Sequence, residues 1–165
     1  MTTKPKISEL LKEHWPEVKD IYERGIASGN ATFQTTAPTW EEWDRTHVKT
    51  CRLIAKQENI LGWAALSQIS ARPVYKGVAE VSIYIHPEAQ NKGIGANLLE
   101  ALITESEKQG FWTLQAGIFP ENKASIRIHE KHGFRLVGRR ERIGQMNGIW
   151  RDTVLLERRS DTIFQ

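Results

Sequence analysis

The loop Gln90-Asn91-Lys92-Gly93-Ile94-Gly95 lies between an alternating apolar segment, Glu80 to Ile85, and a helix-periodic segment that runs to Gln109. Residue types in that order can bind an anion. Gly93 and Gly95 have no β-carbon, so the main chain can come close to a ligand. The amides of Gly93, Gly95 and Ala96 at the helix start have no intrahelical acceptor, and the positive end of the helix attracts phosphate. A dinucleotide fingerprint would need a further glycine where Leu98 stands, and an acid about twenty residues on at the end of the next strand. That strand, Trp112-Thr113-Leu114-Gln115-Ala116, has none. A Walker-type loop would place Gly-Lys-Ser/Thr at the helix start, whereas Lys92 precedes its glycine and no hydroxyl follows. The loop therefore reads as a phosphate cradle of another kind.

The elements that would hold this loop follow from the rest of the chain. At 165 residues with a net charge of +3, the sequence is expected to form one domain with its own core. The cluster Arg135, Arg139, Arg140 and Arg142 is interrupted by Glu141, so it reads as a solvated strand face and argues against nucleic acid as a partner. A single cysteine, Cys51, excludes a disulfide framework and a cysteine-rich metal site, and is expected to pack in a strand. Met1 to Lys6 lacks the apolar run of a secretory leader, and no segment reaches the roughly 18 apolar residues of a membrane span. A cytoplasmic protein without a membrane partner is expected.

Ile7 to Leu11 is expected as a short strand, and Pro16 suits the first turn of a helix reaching Ser28, with Val18, Ile21, Tyr22 and Ile26 on one face. Thr39-Trp40-Glu41-Glu42 has the form of a capping box and opens a short helix to about His47. Strands are expected at Arg52 to Lys56, Ile60 to Gln68 and Val78 to Ile85. A helix from Gly95 to Gln109 would bury Leu98, Leu99, Leu102 and Ile103 and stop at Gly110. A strand from Trp112 to Ile118, a helix from Asn122 to His132, and two strands, Phe134 to Gln145 and Ile149 to Arg158, complete the order.

This order, together with Gln90-x-x-Gly93-x-Gly95, resembles the GCN5-related N-acetyltransferase (GNAT) superfamily. Five stretches narrow the resemblance to its phosphinothricin and methionine sulfoximine N-acetyltransferase branch: Asn30-Ala31-Thr32-Phe33, Ala71-Arg72-Pro73-Val74-Tyr75, Ala79 to Ile85, Ser125 to Phe134, and Gly148-Ile149-Trp150-Arg151-Asp152. The resemblance implies an α/β fold with a mixed central sheet of about six or seven strands and about four helices on both faces. It also implies acetyl-CoA as co-substrate, a small amino acid as acceptor, no metal, and a homodimer.

Acetyl transfer to an amine needs the neutral amine, hence a base. Glu80 occupies the position that the resemblance assigns to the general base. In many members a tyrosine precedes Glu-Lys-x-Gly-Phe on the last helix and protonates the leaving thiolate; here His129 stands there, and imidazole can donate or accept a proton near neutral pH. The pyrophosphate is expected on Gln90, Lys92, Gly93, Ile94, Gly95, Ala96, Asn97 and Leu98, beside His86. The pantetheine arm is expected against the main chain at Ile83 and Ile85, with Asn122 and Ser125 at the start of the last helix. Backbone amides of the Ser82 to Ile85 strand are candidate oxyanion donors, provided the neighbouring strand diverges. An amino-acid carboxylate calls for a cation, and Arg72 is the candidate, with Phe33, Val74, Tyr75 and Ser82 around the substrate.

Other chemistries do not fit. His129 and His132 lack zinc-protease spacing and a third ligand, and there is no nucleophile elbow. Two other readings remain open: an acetyltransferase for another small amine or a protein N-terminus, and a non-catalytic acyl-CoA-binding regulator.

Overall fold

Seven alternating segments pair into a single mixed sheet in the computed structural model, which describes residues 4–163. Met1 to Thr3, the start of the stretch read for a leader, lie outside the described residues. The strands are β1 (Lys6–Glu9), β2 (Leu53–Lys56), β3 (Ile60–Gln68), β4 (Val78–Ile85), β5 (Thr113–Ile118), β6 (Arg135–Met146) and β7 (Ile149–Arg159). The helices are α1 (Trp15–Ala27), α2 (Trp40–Thr46), α3 (Ile94–Lys108) and α4 (Lys123–Lys131). Element types and order agree with the sequence reading, with ends displaced by a few residues at most.

The sheet order is β1-β2-β3-β4-β5-β7-β6. All neighbours are antiparallel except β4 and β5, which are parallel. Because successive side chains on a strand face opposite ways, two cores form. Ile54, Trp63, Ala65 and Tyr84 pack with Val18, Ile21 and Tyr22 of α1 and Trp43 of α2 on one face. Ala55, Ala64, Leu66 and Ile83 pack with Leu98, Leu99, Leu102 and Ile103 of α3 and Ile126 and Ile128 of α4 on the other. Thr39 accepts from the Glu42 amide while Glu42 accepts from the Thr39 amide, so the expected capping box opens α2.

Cys51 departs from expectation. It is buried ahead of β2, in the left-handed region at φ 57°, rather than in a strand. Loss of solvation pushes its thiol up to about 11, so it is held as the unreactive thiol.

The feature that makes a site is the parting of the parallel pair. β4 and β5 stay in register only at Val78↔Thr113, Ala79↔Leu114 and Glu80↔Gln115. Beyond Glu80, β4 continues along β3 as far as Gly62↔Ile85, while β5 continues along β7 as far as Ile118↔Val154. A wedge-shaped gap therefore opens in the middle of the sheet.

Candidate active site

The gap exposes main-chain groups of β4. The His86 amide donates to the Leu61 carbonyl at 2.8 Å, and antiparallel pairing alternates sides, so Glu80, Ser82 and Tyr84 also turn their backbone groups toward β3. The N–H and C=O groups of Val81, Ile83 and Ile85 then face the gap, past the last β4–β5 pair. A ligand with peptide-like amides can pair with such a strand edge.

A cleft of about 880 Å³ occupies the gap. It is lined from one face of the sheet by Tyr22, His47 and Tyr84, and from the α4 side by Asn122, Ser125 and His129. Glu80, Ser82 and Ile83 lie between them, and Phe33 and Phe119 form an aromatic wall with ring centroids 4.9 Å apart. Glu80 is thus brought together with His129, although 49 positions separate them in the chain. The Gln115 side-chain amide donates to a Glu80 carboxylate oxygen at 2.9 Å and leaves the other oxygen free for a proton. Gln115 was not found by sequence reasoning, because its importance depends on the β4–β5 register.

His129 is almost fully buried, and its Nδ1 lies 2.7 Å from the Ser125 carbonyl. A carbonyl oxygen only accepts, so Nδ1 carries the hydrogen and Nε2 of the neutral ring keeps its lone pair. Loss of solvation is the main influence on the ring, and it holds the pKa below the ordinary histidine range. At neutral pH His129 is therefore a proton acceptor at Nε2. Burial likewise pushes the Tyr84 hydroxyl well above the usual tyrosine range, leaving it a neutral hydrogen-bonding group.

At the start of α3, Gly93 is the N-cap at φ 78°, a conformation that costs an L side chain, and no side chain caps the first turn. A β-carbon on Gly95 would lie 3.3 Å from Ile128 Cδ1, so this helix start packs close to α4. The free amides of this turn and the open β4 edge fit a diphosphate joined to an amide-bearing arm, which is the form of acetyl-CoA. Asn122 caps α4 by accepting from the Ser125 amide, and its own amide donates to the Asn30 carbonyl at 3.4 Å.

The structure places several of the expected site residues away from the cleft. Leu98 is fully buried in the core, so its side chain has no surface to offer a ligand, and the Ile94 side chain is buried as well. The Asn97 amide is used by the Gly93 carbonyl; Asn97, His86 and Lys92 line a second hollow beside the β2–β3 turn. Arg72, Val74 and Tyr75 do not line the cleft. They sit in a projecting turn between β3 and β4, where the Arg72 guanidinium lies 5.5 Å from the Tyr75 ring centre and Val74 is exposed. The arginine that does line the cleft is Arg140, which is exposed as expected of a solvated strand face and borders the cleft as well.

Arg151 was also missed as a structural residue. Its guanidinium lies 3.7 Å from the Phe119 ring centre and donates to Asn30 Oδ1 at 2.8 Å and to Glu121 at 3.2 Å. It thereby fastens the loop that carries Phe33. Among the described residues, no three His, Cys, Asp or Glu side chains are grouped to hold a metal ion, and no helix is long and apolar enough to cross a membrane.

Comparison with known proteins agrees with this geometry. Residues 7–134 match the family described as the acetyltransferase (GNAT) family. A phosphinothricin N-acetyltransferase of Streptomyces coelicolor is 30% identical over 164 residues, covering 94% of each chain. An L-methionine sulfoximine/L-methionine sulfone acetyltransferase of Salmonella typhimurium is 32% identical over 111 residues, 66% of this chain and 65% of that one. The crystal structure of a GNAT superfamily phosphinothricin acetyltransferase from Sinorhizobium meliloti in complex with AcCoA superimposes with a TM-score of 0.86. That pair is 28% identical and covers 95% of this chain and 89% of the other.

Proposed function

The chain belongs to the acetyltransferase (GNAT) family and is an acetyl-CoA-dependent N-acetyltransferase; on that premise we propose that its acceptor is the α-amine of a small amino acid such as methionine sulfoximine, methionine sulfone or phosphinothricin. The observation that carries the reading is the parted β4–β5 pair, which puts a carboxylate, a neutral imidazole and an unpaired strand edge into one cleft.

Acetyl-CoA supplies the acetyl group as a thioester. The first-turn amides of α3 hold its diphosphate, and the β4 edge at Ile83 and Ile85 aligns its arm. The acceptor enters as an ammonium and must lose two protons. Glu80, with one oxygen fixed by Gln115, takes the first, directly or through water, and so frees the nitrogen lone pair for attack on the thioester carbonyl. The Val81 and Ile83 amides face the gap and can donate to the developing oxyanion. As the carbon–sulfur bond breaks, His129 takes the second proton at Nε2, then returns it to the departing thiolate. No covalent enzyme intermediate is needed. We further propose that the domain spans the whole chain and works in the cytoplasm as a homodimer.

Thiol release measured across a panel of free amino acids with acetyl-CoA tests this reading. Glu80→Gln is expected to lower kcat by about 10²- to 10⁴-fold while leaving acetyl-CoA binding intact, since it removes the base and keeps the shape. An unchanged kcat in that variant, or no amino acid accepted, would overturn it.

A further inference from the structure

Arg140, exposed to solvent, is the one arginine among the residues that line the cleft, and β6 is distorted where it carries it. Arg140 pairs with Thr153 and the next pair in register is Gly144↔Arg151, so residues 141–143 of β6 stand opposite Asp152 alone. Arg142 is in the left-handed region at φ 48°, and its amide donates to the Asp152 carboxylate at 2.7 Å. In a regular strand Arg140 and Ile143, three apart, would face opposite ways; the bulge turns both toward the cleft.

The same carboxylate occupies the neighbouring arginine. Arg139 is paired with Asp152 at 2.7 Å, and Arg135 with Glu157 at 2.7 Å. Arg140 has no ion-pair or hydrogen-bond partner for its guanidinium among the described residues; its cross-strand partner Thr153 and the bulge residues Ile143 and Gly144 line the cleft with it. A cation without a counter-ion attracts an anionic ligand more strongly than one already neutralised.

Its place in the sheet indicates which part of the ligand it meets. Three strand spacings separate β4 from β6, about 14 Å at roughly 4.8 Å each, and Arg140 lies on the side of the gap opposite Glu80. An α-carboxylate is one carbon from the amine and must stay near Glu80. A group at the far end of the side chain is what a long, flexible arginine on β6 can reach.

We propose that Arg140 binds an anionic group at the distal end of the acceptor's side chain, so that the enzyme selects amino acids with a negatively charged tail. This rests on the acceptor being a free amino acid, as proposed above. Phosphinothricin and methionine sulfone provide a matched pair of probes, because a methylphosphinate and a methylsulfone have nearly the same shape and differ by one negative charge.

The experiment compares kcat/KM for the two acceptors in wild type, Arg140→Gln and Arg140→Lys, with acetyl-CoA binding measured in each to show an intact fold. Wild type is expected to prefer phosphinothricin by about 10- to 100-fold, the range of a charge-assisted contact. Arg140→Gln should remove the preference, chiefly by raising KM for phosphinothricin far more than KM for methionine sulfone, and Arg140→Lys should restore part of it. A wild type that favours the sulfone or makes no distinction, or a preference that survives Arg140→Gln, would overturn the assignment. If neither amino acid is acetylated, the acceptor reading itself fails, which is a separate result.

Discussion

At the scale of single residues, the cleft separates two proton acceptors by environment. Glu80 is exposed on β4 and held by a neutral amide, whereas His129 is buried with Nδ1 committed to a carbonyl. Burial disfavours the imidazolium, so His129 stays neutral to a lower pH than an exposed histidine. The sign follows directly. Protonation removes the Nε2 lone pair, so activity that depends on it falls as pH falls through the depressed pKa. The acid limb of kcat that belongs to this ring is therefore expected below about 6.5, the ordinary histidine value. In His129→Gln that limb should vanish and kcat should drop by about 10²-fold or more. A limb centred above 6.5, or the same limb with an unchanged midpoint in His129→Gln, would show that the ring is not the acceptor. The side-chain identities of both residues were legible in the sequence. The tautomer was not, because it depends on which carbonyl the folded helix presents.

At the scale of elements, the cleft wall is set by a close approach that only glycine permits. A β-carbon on Gly144 of β6 would lie 2.8 Å from Cζ of Phe33, so the ring occupies the space a side chain would need. Arg151 holds the Phe33 loop from β7, and Asn122 holds it from the start of α4 through Asn30. Gly144→Ala is expected to displace the ring, raise KM for the acceptor several-fold, leave KM for acetyl-CoA unchanged, and cost about 1 kcal/mol or more of stability by overpacking. Equal changes in both KM values would mean that the wall serves the cofactor instead. The elements themselves were readable from alternation, capping residues and turn glycines, since those signals are local. Arg140 is exposed, as a run of arginines on an edge strand leads one to expect, but the bulge also brings it to the cleft wall, which composition does not reveal. Arg72 lies outside the cleft lining for a different reason. Its motif lies close in sequence to the catalytic strand, but the turn that carries it projects beyond the sheet. The parting of β4 from β5 involves no unusual residue, so composition and spacing could not show it.

At the scale of the molecule, one edge of the sheet remains to be explained. β6 is the outermost strand, 12 residues long, with no partner on its outer side among the described residues. The hairpin it forms with β7 exposes Leu136, Val137, Ile149 and Trp150, the last two at 66% and 59% of their surface. A long exposed edge with apolar side chains tends to pair or pack with another chain, and two-fold self-association is the commonest outcome. Arg135 and Arg139 are neutralised by Glu157 and Asp152 within the chain, which lowers the positive charge along this edge. Sedimentation equilibrium is expected to give twice the chain mass at micromolar concentration. Ile149→Glu combined with Trp150→Glu should shift it to the chain mass, since two carboxylates would have to be buried without counter-ions. Both residues are exposed in the isolated chain, so the fold should survive, and retained acetyl-CoA binding would show that it does. A wild-type protein that sediments as a monomer would remove the dimer from this account. If the double variant is a monomer with a raised acceptor KM, the partner also shapes the cleft, because Ile143 on the same hairpin is both exposed and part of the cleft wall.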